Sequence, residues 1–146
     1  MQARPSILIV DDDPVHLRIY GWIVEAAGYR SLPAQVRFSG VDLPEDPADL
    51  VLLDYRLGRQ AKAAEIAKLV RSRFPDAPII VLSESLVLPE DMAPLVQGFV
   101  RKGDPAKLVE ALHKLLRPSL GSITEAPPGA DEEPGAYEER SMPDLP

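Results

Sequence analysis

Four short apolar runs constrain what this chain of 146 residues can fold into, because each is too short for a helix signal and each closes on a polar side chain. Ile7-Leu8-Ile9-Val10 runs into Asp11-Asp12-Asp13, and Leu50-Val51-Leu52-Leu53 runs into Asp54. Ile79-Ile80-Val81-Leu82 runs into Ser83, and Gly98-Phe99-Val100-Arg101 into Lys102. Unbroken apolar runs of this length fit strands buried on both faces of a parallel sheet. Open sheets of that kind gather their ligands at the C-terminal strand ends. Laid side by side, these strands would bring carboxylates, a hydroxyl and an ammonium to one rim around Asp54.

Helical stretches separate the runs. Pro14 after Asp13 is the pattern of a capping carboxylate followed by a proline in the first turn. Val15, Ile19, Trp22, Ile23 and Ala26 then recur at helical spacing up to Gly28. Residues 60–73 read as a second helix, with Ile66, Leu69 and Val70 inward and Pro75 and Pro78 closing it. Asp104-Pro105 repeats the cap signature before Leu108, Leu112, Leu115 and Leu116, ending near Arg117. Tyr29–Phe38 reads as a strand weakened by Pro33, and Glu90–Gln97 as a weak helical stretch interrupted by Pro94. Between Gly40 and Pro47 the prolines leave room for a loop or a short 3₁₀ piece, so the helix expected there is shortened or missing. Strand–helix alternation with buried strands predicts an α/β fold, doubly wound, with helices on both faces of a parallel sheet.

Charge divides the chain in two. Residues 118–146 hold six prolines, three glycines and seven acidic side chains against one basic, and so carry six of the seven net negative charges. Without a periodic apolar pattern this segment cannot offset its ordering entropy, so we expect a domain at 1–117 and an acidic Pro/Gly-rich C-terminal tail at 118–146, flexible or packed on a partner. Neither part has the basic stripe that nucleic-acid binding requires. No apolar run reaches the length of a membrane span, and the absence of cysteine excludes disulfides and thiolate metal sites and fits a cytoplasmic protein.

The rim residues suggest a chemistry. Asp11, Asp12 and Asp54 crowded at one edge repel one another, and a divalent cation would relieve them. An oxygen-only ligand set favours a hard ion, Mg²⁺ first. Lys102 would add a positive charge and Ser83 a hydrogen-bond donor. Such a set suits a transferring phosphoryl group, attacked in line by an aspartate oxygen.

With these residues in place, the stretch from Ser6 to about Arg117 resembles the receiver domain of two-component response regulators. The resemblance rests on Asp11 and Asp12 after the first strand, Asp54 in Asp49-Leu-Val-Leu-Leu-Asp54-Tyr-Arg-Leu, Ser83, Lys102, and the aromatic Phe99 three residues before the lysine. It implies a flavodoxin-like five-stranded parallel sheet with strand order 2-1-3-4-5. It implies a stand-alone, chemotaxis-type receiver that takes a phosphoryl group on Asp54 from a histidine kinase or phosphotransfer protein, with Mg²⁺ held by Asp11, Asp12 and Asp54. Such a protein is a phosphoacceptor with slow self-hydrolysis and no classical enzyme activity. Ser83 and Phe99 would form the switch towards a downstream target protein, and the family also admits a homodimer. Phe99 reads equally as core. Two departures stand out. Gly103 replaces the proline that usually follows the lysine, which predicts a looser loop. Tyr55-Arg56-Leu57-Gly58 replaces the usual proline-containing turn, where Arg56 would overhang the phosphoryl site and tune water access but reads equally as an exposed loop arginine.

Two other readings compete. A degenerate receiver would keep the fold and act as a constitutive protein-binding module. A haloacid-dehalogenase-type phosphohydrolase would use Asp11 as nucleophile, since Asp11-Asp12-Asp13-Pro14-Val15 satisfies Asp-x-Asp-x-Val, but it needs a further strand ending in paired acids after Lys102.

Overall fold

The computed structural model describes residues 4–59 and 61–116; the tail expected at 118–146 lies outside them. The apolar runs are strands. β1 (Ser6–Asp11), β4 (Leu50–Asp54), β5 (Ile79–Ser83) and β6 (Gly98–Arg101) form with β2 (Arg30–Arg37) a parallel array. A two-residue strand, β3 (Gly40–Val41), folds back antiparallel on β2, pairing Val36 with Val41. The sheet order is β3-β2-β1-β4-β5-β6.

Without its edge strand this is the expected 2-1-3-4-5 order. The sheet therefore has six strands rather than five, and the chain after β2 makes a hairpin where only a loop was expected. Gly40 turns that hairpin at φ 122°, a conformation glycine reaches without a side-chain clash.

Helices cover both faces: α1 (Pro14–Ala26) and α3 (Pro105–Leu116) on one, α2 (Ala63–Arg73) on the other. Side chains alternate across each strand. Ile7, Ile9, Leu50, Leu52, Ile80 and Leu82 therefore pack against Leu17 and Val24 of α1 and Leu108 and Leu112 of α3. Leu8, Val10, Val51, Leu53, Ile79 and Val81 pack against Ala63, Ile66, Ala67 and Val70 of α2. Burying such a side chain contributes about 1.5–3 kcal/mol, so these two layers are the main source of stability.

Packing assigns the buried face of α1, and two expectations, for Leu69 and for the stretch before β6, need correction. On α1 the inward stripe is Leu17 and Val24 with Tyr20 and Ile23 partly covered, while Val15, Ile19 and Trp22 are exposed. Leu69 of α2 is also exposed. Residues 84–97 contain no helix; they make successive turns, with Met92 N–H donating to Pro89 O at 3.0 Å and Leu95 N–H to Met92 O at 2.9 Å. Pro94 lacks the N–H a helix would need there. The segment is anchored all the same. Met92 is fully buried, and Gln97 Oε1 accepts from Ile79 N–H at 2.8 Å and Arg71 Nη2 at 2.7 Å. Among the described residues no strand follows Lys102, so the hydrolase reading finds no support.

Candidate phosphoryl and cation site

Asp11 closes β1 in the same side-chain parity as Ile7 and Ile9, and Asp54 closes β4 in the parity of Leu50 and Leu52. Since β1 and β4 are neighbours, both carboxylates emerge at the rim on the α1 side of the sheet. Each is only 1% exposed. Asp54 Oδ1 lies 2.7 Å from Lys102 Nζ and accepts from Arg56 N–H at 3.2 Å, which fixes the carboxylate and leaves Oδ2 without a hydrogen-bond partner. Asp11 Oδ1 accepts from Asp13 N–H at 3.0 Å, while its Oδ2 is likewise buried and unpartnered.

Burial raises the Asp11 pKa from 3.8 to about 8, opposed by the Asp13 N–H and reinforced by the neighbouring Asp54. The same two carboxylates act on Tyr20, whose phenol is pushed up to about 12, first by burial and then by their charge. A pair of crowded carboxylates with one orphan oxygen each is what a cation would satisfy.

The remaining residues take distinct places. Ser83 is buried at the end of β5, and its hydroxyl accepts from Ser85 N–H at 3.1 Å. Its carbonyl accepts from Lys102 N–H at 2.8 Å, so the serine and lysine are tied together at the rim. Asp12 is half-buried and its carbonyl accepts from Gln35 Nε2 at 3.2 Å; its carboxylate adjoins Asp11. Arg56 reaches Asp54 through its backbone, and its exposed side chain borders a cavity of about 470 Å³. Lys102, Ser83, Tyr55 and Asp91 also line that cavity. The Tyr55 hydroxyl donates to Asp91 at 3.2 Å across it. Phe99 pairs with Val81 on the α2 side and packs, half-buried, against that core layer.

One rim residue was not singled out in the sequence. The oxygen atoms of Asp11 and Asp54 converge with a nitrogen of His16, one donor atom from each residue lying within 4.8 Å of the others. Asp12 is outside this group, which sets an imidazole nitrogen beside two of the three carboxylates expected from the sequence. The available signal was positional: Asp13 caps α1 through Val15 N–H at 2.9 Å, and this sets the first turn, His16 included, above the end of β1.

A doubly wound parallel sheet that gathers acids, a lysine and a serine at its C-terminal strand ends places the chain among the α/β folds whose sites form at that rim. The particular fold is that of the CheY-like receiver domains of response regulators. No protein-family model matches the chain. It is 28% identical over 131 residues to the transcriptional regulatory protein GlrR of Escherichia coli, covering 86% of this chain and 29% of that protein. The chain thus spans under a third of the curated relatives it matches. Among solved structures it resembles chemotaxis protein CheY4 of Vibrio cholerae (TM-score 0.66, 22% identity, 78% of this chain and all of that one). It also resembles the response regulator TrrA of Thermotoga maritima in complex with Mg²⁺-BeF (TM-score 0.62, 25% identity, 77% and 99% covered). The same TrrA in complex with histidine kinase ThkA aligns with a TM-score of 0.63 at 24% identity, covering 77% of this chain and 98% of that one. Among the described residues no helix is long and apolar enough to cross a membrane.

Proposed function

We propose that this chain is a receiver that accepts a phosphoryl group on Asp54 and signals through phosphorylation-dependent protein contacts. The observation that carries the reading is the Asp54 carboxylate, buried at the rim with Lys102 at 2.7 Å, where Lys102 and Ser83 line an adjoining cavity. An Asp54 oxygen attacks phosphorus in line as the bond to the donor's leaving group breaks. The leaving group departs with its electron pair and takes a proton from solvent. Lys102 and the Ser83 hydroxyl stabilise the charge on the transferred oxygens. Asp11, Asp12 and Asp54 would hold Mg²⁺, and the orphan oxygens of Asp11 and Asp54 fit that role. The ion, when bound, neutralises negative charge between the carboxylates and the phosphoryl group.

The donor in this reading is a histidine kinase, as TrrA's complex with ThkA supports, or a phosphotransfer protein, and the reaction takes place in the cytoplasm. The exposed Val15, Ile19 and Trp22 on α1 offer an apolar stripe on the helix that starts at the rim. Phosphorylation adds charge of about −1.5 to −2 at Asp54, and Ser83 and Phe99 would relay it towards a target.

Incubation with a beryllofluoride salt and Mg²⁺, or with acetyl phosphate, tests the reading. Stoichiometric attachment at Asp54, abolished by Asp54→Asn, is the expected result. A folded domain that takes up neither reagent would instead make it a constitutive binding module, and attachment at Asp11 would point to a hydrolase.

A further inference from the structure

Among the described residues three buried atoms at the rim have no hydrogen-bond partner: Asp11 Oδ2, Asp54 Oδ2 and His16 Nδ1. They come from the same three residues whose donor atoms converge within 4.8 Å. His16 Nδ1 stands 3.3 Å from Asp11 Oδ2, yet the pair lacks hydrogen-bond geometry, so neither atom satisfies the other. Two carboxylate oxygens and an imidazole nitrogen gathered in this way match the donor set of a cation site, and the nitrogen changes which cation it prefers.

The imidazole stands between two carboxylates. Its Nε2 faces Asp13 Oδ2 at 3.6 Å, a contact longer than a hydrogen bond, while Nδ1 faces Asp11 Oδ2 at 3.3 Å. Tyr20, one turn along α1, stands edge-on to the ring with centroids 6.4 Å apart. Asp13 is itself fixed by capping α1. The outer part of the ring is exposed while Nδ1 is turned inward.

We propose that His16 Nδ1 is a protein ligand to the cation at this site, beside Asp11 and Asp54, and that it biases the site towards a divalent first-row transition ion over Mg²⁺. Imidazole nitrogen binds such ions well, whereas Mg²⁺ prefers oxygen throughout. The inference rests on reading the rim as a cation-dependent phosphoacceptor site.

Calorimetric titration of the full chain with NiCl₂ and with MgCl₂ compares wild type, His16→Ala and His16→Gln. Losing an outer partner of a metal ligand already costs about 10–100-fold in metal affinity. Losing the ligand should therefore weaken Ni²⁺, which suits imidazole, by about tenfold or more, and Mg²⁺ far less. Electron spin echo spectroscopy of the Mn²⁺-loaded protein should show a nitrogen modulation, assigned by isotope labelling of histidine and absent from both variants. A wild-type spectrum without that modulation, or equal weakening of both ions, overturns the assignment. If beryllofluoride with Mg²⁺ still attaches at Asp54 in that event, the phosphoacceptor reading survives and only His16 loses its role. If neither ion binds wild type and nothing attaches at Asp54, both fall.

Discussion

Lys102 Nζ lies 2.7 Å from Asp54 Oδ1, although β4 and β6, which deliver the two groups, are not neighbours in the sheet. β5 runs between them, and its last residue, Ser83, accepts from Lys102 N–H. The ion pair is therefore a product of the sheet order. The lysine must cross the end of one strand to reach the carboxylate, and the serine at that end lies against its path.

Lys102→Ala removes the ammonium group paired with the Asp54 carboxylate, whose other partner among the described residues is Arg56 N–H. Losing a preorganised charge at developing phosphoryl oxygens costs about 10²–10³ in rate. Acetyl-phosphate labelling of Asp54 should slow by that order. Urea unfolding should report a loss of about 1–3 kcal/mol, since a buried carboxylate is left short of a partner. Labelling at the wild-type rate would remove Lys102 from the mechanism.

Asp11 sets a pH dependence with a definite sign. Its pKa rises from 3.8 in the unfolded chain to about 8 in the fold, chiefly through burial. Between those values the folded state keeps a proton that the unfolded state has lost. The contribution of this group is complete below pH 3.8 and declines as pH climbs towards about 8. The metal-free Asp11→Asn variant should therefore gain on wild type between pH 5 and pH 8, by up to about 1.4 kcal/mol per pH unit. Mg²⁺ must displace the same proton, so wild-type Mg²⁺ affinity should rise by up to about tenfold per pH unit and level off above pH 8. Thermal melts with and without Mg²⁺ at the two pH values measure both effects.

Asp13 caps α1 through Val15 N–H, and its other carboxylate oxygen faces His16 Nε2 at 3.6 Å. Asp13→Ala should cost about 1 kcal/mol in chemical denaturation, the usual loss for an N-cap acceptor. Asp13→Ser keeps a capping oxygen and should recover most of that loss. A full-strength fold in Asp13→Ala would show that Pro14 alone starts the helix.

What could be read from the residues follows from how each element is encoded. β1, β4 and β5 are apolar on both faces, so their runs were unambiguous, and the residues closing them had to lie at one rim. α1 is apolar on more than one side. Leu17 and Val24 define one stripe and Val15, Ile19 and Trp22 another, and only packing on the sheet decides which is buried. The β3 strand is two residues long and owes its pairing to Val36 on β2, a contact with no local sequence signature. His16 escaped notice because a lone histidine has no pattern. Its meaning came from the alternation that turns Asp11 and Asp54 towards α1.

Gly103 joins Lys102 to α3 with φ 85°, in the left-handed region, and a Cβ added there meets nothing within 4 Å. Any penalty for replacing it is thus conformational. Gly103→Ala should lose about 1–3 kcal/mol, Gly103→Asn less, because asparagine tolerates this region. Gly103→Pro should lose most, since its ring fixes φ near about −65°. The looser loop expected from a glycine in place of proline is then better described as one held in a conformation proline cannot adopt. Urea midpoints for the three variants should fall in the order Asn, Ala, Pro. The rate of acetyl-phosphate labelling should fall in the same order, because each strained loop shifts Lys102 from Asp54. A proline variant as stable and as reactive as wild type would mean that the loop can re-form at negative φ without moving the lysine.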